Sequence, residues 1–519
     1  MEQHDTQGLA IIPFLDGDSK HPTIYDAVGV EPVINCRGTF TILGGSVERP
    51  EVIRAMQAAS GYFVQYDELA QGVGKQLAKL TGAEWGLIAS GCAAGIKHVT
   101  TACVTGGNPE KLIRVPDLRG FEKTQVIIPR YSRNAYDHAV RNVGVEIIMV
   151  DTPDELEHAM NEGTAMIYLV TGEHSAPGQP LSLEKIAHIS RPFNIPILAD
   201  AAAENLTIPP IHLEQGATVV AYSGGKAICG PQCAGIVLGK KDLLQSAWQS
   251  SSPHHGPGRD NKVGKEEIMG MVAAVEAWIT RDHENEWKKW LTTLNEIARR
   301  VSENAAVSWE VLEPEGLINR APSLVISWKP DQLHITGNEI AENFAQTSPR
   351  IAIGSFDRDG HSSISINPSQ MQPGNKNVVI ERLCETLNTK RCKRPTDLKD
   401  ATADVDGEWA VTVNYFTSTS NHRWNLRQDG NWIEGRHESD QSIQDICGTV
   451  EGSSVTLRSV FNQPGDSIDF IFSGTVTNST IEGSIHLGEY LSATFTAIHH
   501  PEIHVRQRIN VPSGPPLAT

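Results

Sequence analysis

A chain of 519 residues is too long for one ordinary hydrophobic core and calls for two or three domains. Its formal net charge of −18 argues against a nucleic acid or an anionic membrane surface as a partner. No apolar run approaches the roughly 18 residues of a membrane-spanning helix, the first residues lack the basic-then-apolar pattern of a secretion signal, and the 8 cysteines show no spacing suited to zinc. The expectation is a cytoplasmic chain with reduced thiols and no bound metal.

Residues 1–27 read as a polar N-terminal arm. From Val28 the chain runs through Asn35, Arg37 and Thr39 and then Gly44-Gly45-Ser46 into a helix opened by Pro50-Glu51, a favourable first turn. A second helix ends near Thr81-Gly82, and the strand Gly86-Leu87-Ile88-Ala89 runs straight into Ser90-Gly91-Cys92-Ala93-Ala94-Gly95. Small residues at a strand-to-helix turn leave several amides free to surround a phosphate, which the helix dipole also favours. Strand Gln125–Pro129 leads to a turn carrying Ser132, Tyr136 and His138, and strand Ala165–Val170 ends at Thr171-Gly172-Glu173-His174. Glu173 and His174 suit substrate contact or proton transfer, since an unperturbed histidine titrates near neutrality. A third apolar run, Pro196–Ala199, delivers Asp200; a fourth, Ala217–Ala221, is followed by Tyr222-Ser223-Gly224-Gly225-Lys226; Ile236–Gly239 reads as the return strand. This alternation of strands and helices predicts an α/β domain with a mainly parallel sheet covered on both faces.

Ligands in such sheets sit at the strand ends, where Asp200 and Lys226 face one pocket. Taken alone, the two residues fit equally well a helix-capping Asp and a surface Lys. The chemistry that needs them together is that of pyridoxal 5'-phosphate (PLP): the lysine amine forms a Schiff base with the cofactor aldehyde, and the carboxylate keeps the pyridine nitrogen protonated. The sequences Asp200-Ala201-Ala202-Ala203-Glu204 and Ser223-Gly224-Gly225-Lys226 resemble the aspartate and lysine motifs of fold type I PLP enzymes. Within them the chain is most similar, over roughly residues 28–387, to the group that holds bacterial selenocysteine synthase and D-glucosaminate-6-phosphate ammonia lyase.

That resemblance implies further assignments. Ser90, Gly91, Cys92 and Ala93, with Ser223, become the phosphate contacts. Asn35, Arg37 and Thr39 line the substrate entrance. Many relatives carry a histidine stacked on the pyridine where this chain has Ser132, and Tyr136 and His138 stand close by in sequence. The stretch Arg259-Asp260-Asn261-Lys262-Val263-Gly264-Lys265 implies a phosphate or substrate-anion ligand in Arg259, with Lys262 and Lys265 as lesser ones, reaching the site from a second subunit. The resemblance therefore implies a homodimer or larger homo-oligomer with shared active sites, and Arg350 or Arg358 as the grip on a substrate carboxylate.

Domain limits follow the same reading: a PLP-binding large domain over 28–270, then a small α+β domain over 271–390 entered by one long helix around Val272–Val301. A linker spans 391–405. Beyond it, Gly407-Glu408-Trp409 opens a run of nine short strands that predicts an antiparallel barrel over 406–500, resembling streptavidin-like and lipocalin-like barrels, with a tail over 501–519. The function this predicts is a PLP-dependent lyase that takes an amino acid or amino sugar acid through a Cα carbanion to α,β-elimination, with Lys226 as base. A racemase or epimerase is the alternative, with Tyr136, His138 or His174 as second acid. Aldol cleavage and transamination remain open, as does a non-catalytic binding protein that works through the barrel.

Overall fold

The computed structural model describes residues 11–15, 23–393 and 398–500. Most of the N-terminal arm, part of the linker and all of the tail lie outside those residues. Two compact units result, one ending at Lys393 and the other following it.

The first unit is built on a seven-stranded sheet: β1 (Trp85–Ala89), β2 (Gln125–Pro129), β3 (Glu146–Val150), β4 (Thr164–Val170), β5 (Ile197–Asp200), β6 (Val219–Ser223) and β7 (Gly235–Gly239). Their spatial order is β1-β7-β6-β5-β4-β2-β3, parallel throughout except for β7, which runs antiparallel to both neighbours. These strands are near-continuous Val, Ile, Leu and Ala because both faces are covered. Alternate residues go to opposite cores: Ile127, Ile167, Leu169, Ile197, Ala199 and Val220 to one, Val126, Ile128, Met166, Tyr168, Leu198 and Val219 to the other. Helices α1 (Pro50–Ser60) and α2 (Tyr66–Thr81) precede the sheet, and α3 (Gly91–Thr105) follows β1.

The single long helix expected around Val272–Val301 is two: α4 (Lys265–Thr280) and α5 (His283–Val301). Asp282 stops the first and caps the second, its carboxylate accepting the Asn285 amide at 3.0 Å. An aspartate that satisfies free first-turn amides competes well with helix continuation.

The antiparallel sheet of β8 (Val307–Leu312), β9 (Ser323–Trp328), β10 (Gly354–Arg358) and β11 (His361–Ile366) has the order β10-β11-β9-β8. Leu294, Ile297 and Val301 of α5 pack on it with Phe344, Val379 and Leu383. The early segment Ile34–Asn35 pairs in parallel with Ile351–Ala352, and Cys36 is buried in this same core. Residues far ahead of the large sheet thus belong to the layer of the small one.

The second unit is a closed barrel of β12 (Gly407–Asn414), β13 (Thr419–Asp429), β14 (Trp432–Glu438), β15 (Ile443–Glu451), β16 (Ser454–Gln463), β17 (Asp466–Thr477), β18 (Thr480–His486) and β19 (Ser492–His500), each antiparallel to its neighbours. Closure removes the exposed edges an open sheet would leave. Eight strands form it, where the sequence suggested nine. Ile468–Phe472 and Gly474–Val476 are one strand, because Gly474 continues the ladder between Val455 and Gly483, where a Cβ would meet the Glu482 carbonyl at 2.9 Å. Trp424 makes edge contacts with Phe472 and Phe495 at 4.8 and 5.5 Å, so side chains fill the centre, as expected of a barrel this narrow. Residues before β12 join this unit: Val405 is fully buried in the barrel core, and its carbonyl accepts the Trp409 indole N–H at 2.9 Å.

One polar chain crosses the barrel interior. His422 Nδ1 lies 2.8 Å from His437 Nε2, His422 Nε2 lies 2.6 Å from Ser420 Oγ, and His437 Nδ1 lies 2.7 Å from Ser459 Oγ. Phe470 and Phe472 wall it in.

Candidate active site

The parallel strands of the large sheet deliver their C-terminal ends to one edge. Asp200 is the last residue of β5, paired with Val170 on β4 and Ala221 on β6, and Lys226 follows β6 by one short turn. Asp200 is buried. Burial raises its pKa, opposed by hydrogen bonds from Tyr168, the Ala202 amide and Cys92 and by the nearby charge of Lys226. The Tyr168 hydroxyl donates to Oδ2 at 2.7 Å, the Ala202 amide to Oδ1 at 3.0 Å, and the Cys92 thiol to Oδ1 at 3.6 Å. Desolvation, with Asp200 beside it, pushes the Cys92 thiol well above its ordinary range, so it is a donor and not a thiolate.

Cys92 also belongs to the first turn of α3, which joins this carboxylate to a helix N-terminus. The first amides of a helix have no carbonyl partner of their own. The N-cap residue Ser90 makes no capping hydrogen bond, leaving its hydroxyl unspent. Gly91 has a φ of +79°, a left-handed conformation glycine adopts without strain, and open space where a Cβ would stand. Beneath it, β7 presses on the turn: a Cβ on Gly235 would meet the Cys92 amide nitrogen at 2.5 Å, so only glycine fits there.

The glycines before Lys226 serve packing within the protein. A Cβ on Gly224 would meet the Ala234 carbonyl at 2.6 Å, and one on Gly225 the Gln232 side chain at 1.9 Å. The Ser46 amide bonds the Gly225 carbonyl at 2.9 Å, pinning the N-terminal loop to the lysine turn. On the far side Arg281, almost wholly buried, donates to the carbonyls of Ala227 and Ile228 at 3.1 and 3.3 Å. The Lys226 amine itself takes no hydrogen bond or ion pair among the described residues.

A cavity of about 700 Å³ opens from Lys226, walled by Arg37, Tyr136, Asn205, Trp278, Trp287 and Arg320 among others. Arg37 lies over the Phe40 ring at 4.6 Å and Arg320 over the Trp287 ring at 5.6 Å. Neither guanidinium has an acid within ion-pair distance among the described residues. Thr39, also on the wall, bonds Asn319 at 3.4 Å, and Asn205 Oδ1 is buried with no hydrogen-bond partner.

The other residues singled out in the sequence fall elsewhere. Asn35 spends its amide on its own turn, donating to the Gly38 carbonyl at 2.8 Å and accepting from the Arg37 and Gly38 amides. Ser132 is fully buried and accepts the Val170 amide at 2.9 Å, so it holds β4 and stacks on nothing. His138 and Glu173 are exposed, and His174 is exposed with its ring 5.7 Å from that of Tyr131. Arg350 sits 3.7 Å from Glu31, and Arg358 lies at the β10–β11 hairpin 3.5 Å from Asp359, both outside the cavity wall. Arg259 and Lys262 are exposed, while Lys265 donates to the Ala59 carbonyl at 3.1 Å. Sequence reasoning passed over Tyr168, Arg281 and Arg320. For Tyr168 the signal was present as a lone phenol in an otherwise aliphatic buried strand; for the two arginines there was none, since only the folded chain shows which arginines lack an acid or reach a carbonyl.

The donor set matches the three ends of PLP: a free amine for the aldehyde, a buried carboxylate for the pyridine nitrogen, and an open helix N-terminus with a spare hydroxyl for the phosphate. Comparison with known proteins agrees. Residues 137–262 match the family model Aminotransferase class-V. The chain is 30% identical over 289 residues to D-glucosaminate-6-phosphate ammonia lyase of Salmonella typhimurium, covering 54% of this chain and 76% of that one. It is 26% identical over 394 residues to 5'-C-glycyluridine monooxygenase-decarboxylase of a Streptomyces species, covering 73% and 96%. A solved structure of a D-glucosaminate-6-phosphate ammonia lyase superposes on 70% of this chain and 98% of its own with a TM-score of 0.62 at 27% identity. The fold is that of fold type I PLP enzymes, the cofactor is PLP, and the chain belongs to the D-glucosaminate-6-phosphate ammonia lyase family.

Proposed function

We propose that this chain is a PLP-dependent lyase that eliminates ammonia from an acidic amino sugar, a six-carbon amino acid carrying a second anion being the best fit. The observation that carries this reading is the cavity that Lys226 shares with two acid-free guanidinium groups, those of Arg37 and Arg320. A carboxylate and a phosphate are the anions such forks hold best. Trp287 backs Arg320, and the buried Asn205 Oδ1 offers an acceptor for a substrate hydroxyl.

PLP, when bound, supplies the electron sink that makes a substrate Cα–H acidic. Asp200 would hold the ring nitrogen and the first turn of α3 the phosphate. The rest falls to side chains of this chain. Lys226 takes the proton from Cα, its amine unencumbered by other bonds. Arg320 and Arg37 hold the substrate anions and so set which Cα substituent faces that amine. Loss of the β-hydroxyl as water requires a proton on the leaving oxygen, which Lys226 carries after the first transfer and which the Tyr136 hydroxyl, on the same wall, can also donate. Hydrolysis of the released enamine, through its imine tautomer, then takes up one water and breaks the C–N bond to give the 2-oxo acid and ammonia.

Holoenzyme incubated with amino sugar acids, with and without a terminal phosphate, is expected to release ammonia and a 2-oxo acid in equal amounts. Arg320→Ala is expected to raise KM roughly 10- to 100-fold with kcat changed much less, the loss of a charged hydrogen bond made to substrate and transition state alike. Exchange of the α-hydrogen with inverted configuration and no release would make the chain a racemase, and oxygen uptake with CO2 would place it beside the decarboxylase relative instead.

The active enzyme in this reading is a homodimer. The loop Tyr62-Phe63-Val64 exposes its apolar side chains, Phe63 completely, and Arg259 points into solvent with no acid partner among the described residues. A second copy would cover the former and employ the latter. Sedimentation at micromolar concentration should give twice the chain mass, and a monomer with full activity would overturn this.

A further inference from the structure

We propose that Tyr168 is a positioning residue for the cofactor: its hydroxyl holds Asp200 as an oriented, ionised carboxylate with one lone pair left facing the site of the pyridine nitrogen. The inference concerns side chains of this protein and rests on the PLP reading only for its catalytic meaning. Tyr168 and Asp200 lie on adjacent parallel strands, and the register that pairs Val170 with Asp200 sets Tyr168 two residue pairs further back, beside Leu198 and on the same face of the sheet. From there the phenol reaches Oδ2 at 2.7 Å, while the Ala202 amide and the Cys92 thiol occupy Oδ1. Tyr168 is fully buried, and among the described residues its hydroxyl has no other hydrogen-bond partner. Desolvation and the neighbouring carboxylate hold it well above its ordinary range, so it serves only as a donor.

The physical problem this solves is the cost of a buried charge. An unpaired carboxylate out of water prefers to bind a proton, and a neutral Asp200 would accept no proton from the ring nitrogen and would not anchor it. A hydrogen bond to an ionised group is worth roughly twice one between neutral groups. Tyr168 provides one from a strand paired on both sides, and Cys92 adds a weaker one while belonging to the helix turn that would bind the phosphate. The carboxylate is thereby tied to the phosphate site by one side chain.

Tyr168→Phe keeps the ring and its packing and removes only the donor. Infrared spectra of the cofactor-free protein, with Asp200→Asn identifying the band, are expected to show Asp200 ionised at neutral pH in the parent chain and protonated in Tyr168→Phe, recovering its charge at higher pH. The same variant should bind PLP roughly 10- to 100-fold more weakly at neutral pH, the range of a lost charged hydrogen bond, with part of the affinity restored as pH rises. Should Tyr168→Phe fold poorly, replacement of tyrosine by 3-fluorotyrosine, a stronger donor of nearly equal size, should move the Asp200 titration the opposite way. An Asp200 band and a PLP affinity that ignore both changes would reduce Tyr168 to a packing residue. An infrared shift without any PLP binding in the parent chain would sustain the hydrogen bond and overturn the cofactor reading instead.

Discussion

Lys226→Ala purified with PLP should lack the visible absorbance band of a lysine-bound cofactor and should turn substrate over at least about 1,000-fold more slowly than the parent chain. Two separate losses combine: the covalent attachment, and the base that removes the Cα proton, whose removal alone is worth roughly 100- to 10,000-fold. The fold should survive. The Lys226 amine bonds nothing among the described residues, and the turn that carries it is held by backbone contacts instead: the Ser46 amide on Gly225, the Gly230 amide on Gly224, and Arg281 on Ala227 and Ile228. Thermal unfolding close to that of the parent therefore separates a chemical defect from a structural one. A variant that keeps the band and a rate within tenfold would show that another group does the chemistry.

The barrel is expected to lose stability in mild acid, through the histidine pair inside it. Burial pushes the His437 imidazole down from 6.5 to about 3, with the neighbouring His422 adding to the effect, and burial lowers His422 as well. Ser420, Ser459, Gln444 and the rings of Phe470 and Phe472 surround the pair, and among the described residues Asp440 is the acid that acts on His422, opposing the effect of burial. Above pH 6.5 the pair is neutral in both folded and unfolded chains and the linkage is silent. Below it the unfolded chain binds protons that the folded barrel refuses, so stability falls as pH drops from 6.5 toward about 3, by about 1.4 kcal/mol per pH unit for His437, with His422 acting in the same direction. Across that window His437 alone amounts to a loss on the order of 4 kcal/mol, a large share of the stability of a small domain. Calorimetry of the full chain at pH 7.5 and 4.5 should find the transition of the barrel shifting down in acid, and His437→Gln should flatten the pH dependence of that transition alone. His98 on α3, lowered to about 4 by burial, makes the first unit acid-sensitive too, and the variant distinguishes the two. An acid-insensitive barrel would mean the pair protonates without opening the fold.

Legibility followed the range of the forces involved. The α/β class, the strands at Ile197–Asp200 and Val219–Ser223 and the strand-to-helix turn at Ser90 were visible because apolar runs, glycines and turn residues act within a few positions of one another. The barrel was visible in the same way, as a run of short strands, although one strand was divided between Phe472 and Gly474, where the chain runs on and Gly474 lets two strands approach. The neighbours of the glycines before Lys226, namely Gln232, Ala234 and Met271, were not legible from the local pattern, because only the folded chain sets them there.

What a linear reading lacked was distance between residues remote in sequence. Which arginines meet the cavity is decided by the approach of the 317–321 segment to the residues after β5: Asn319 and Asn205 bond the carbonyls of Ala203 and Leu317 at 2.7 and 2.9 Å, and this lodges Arg320 on the wall while Arg350 and Arg358 stay outside. The side chains that bond Asp200, those of Tyr168 and Cys92, come likewise from two separate and distant segments. Local pattern was enough to name a lysine, an acid and an open helix end, because their chemistry is carried by residue type and by the turn next to each. Their spacing, charge state and neighbours were settled by strand register and burial, which arise only when the whole sheet closes on its two cores.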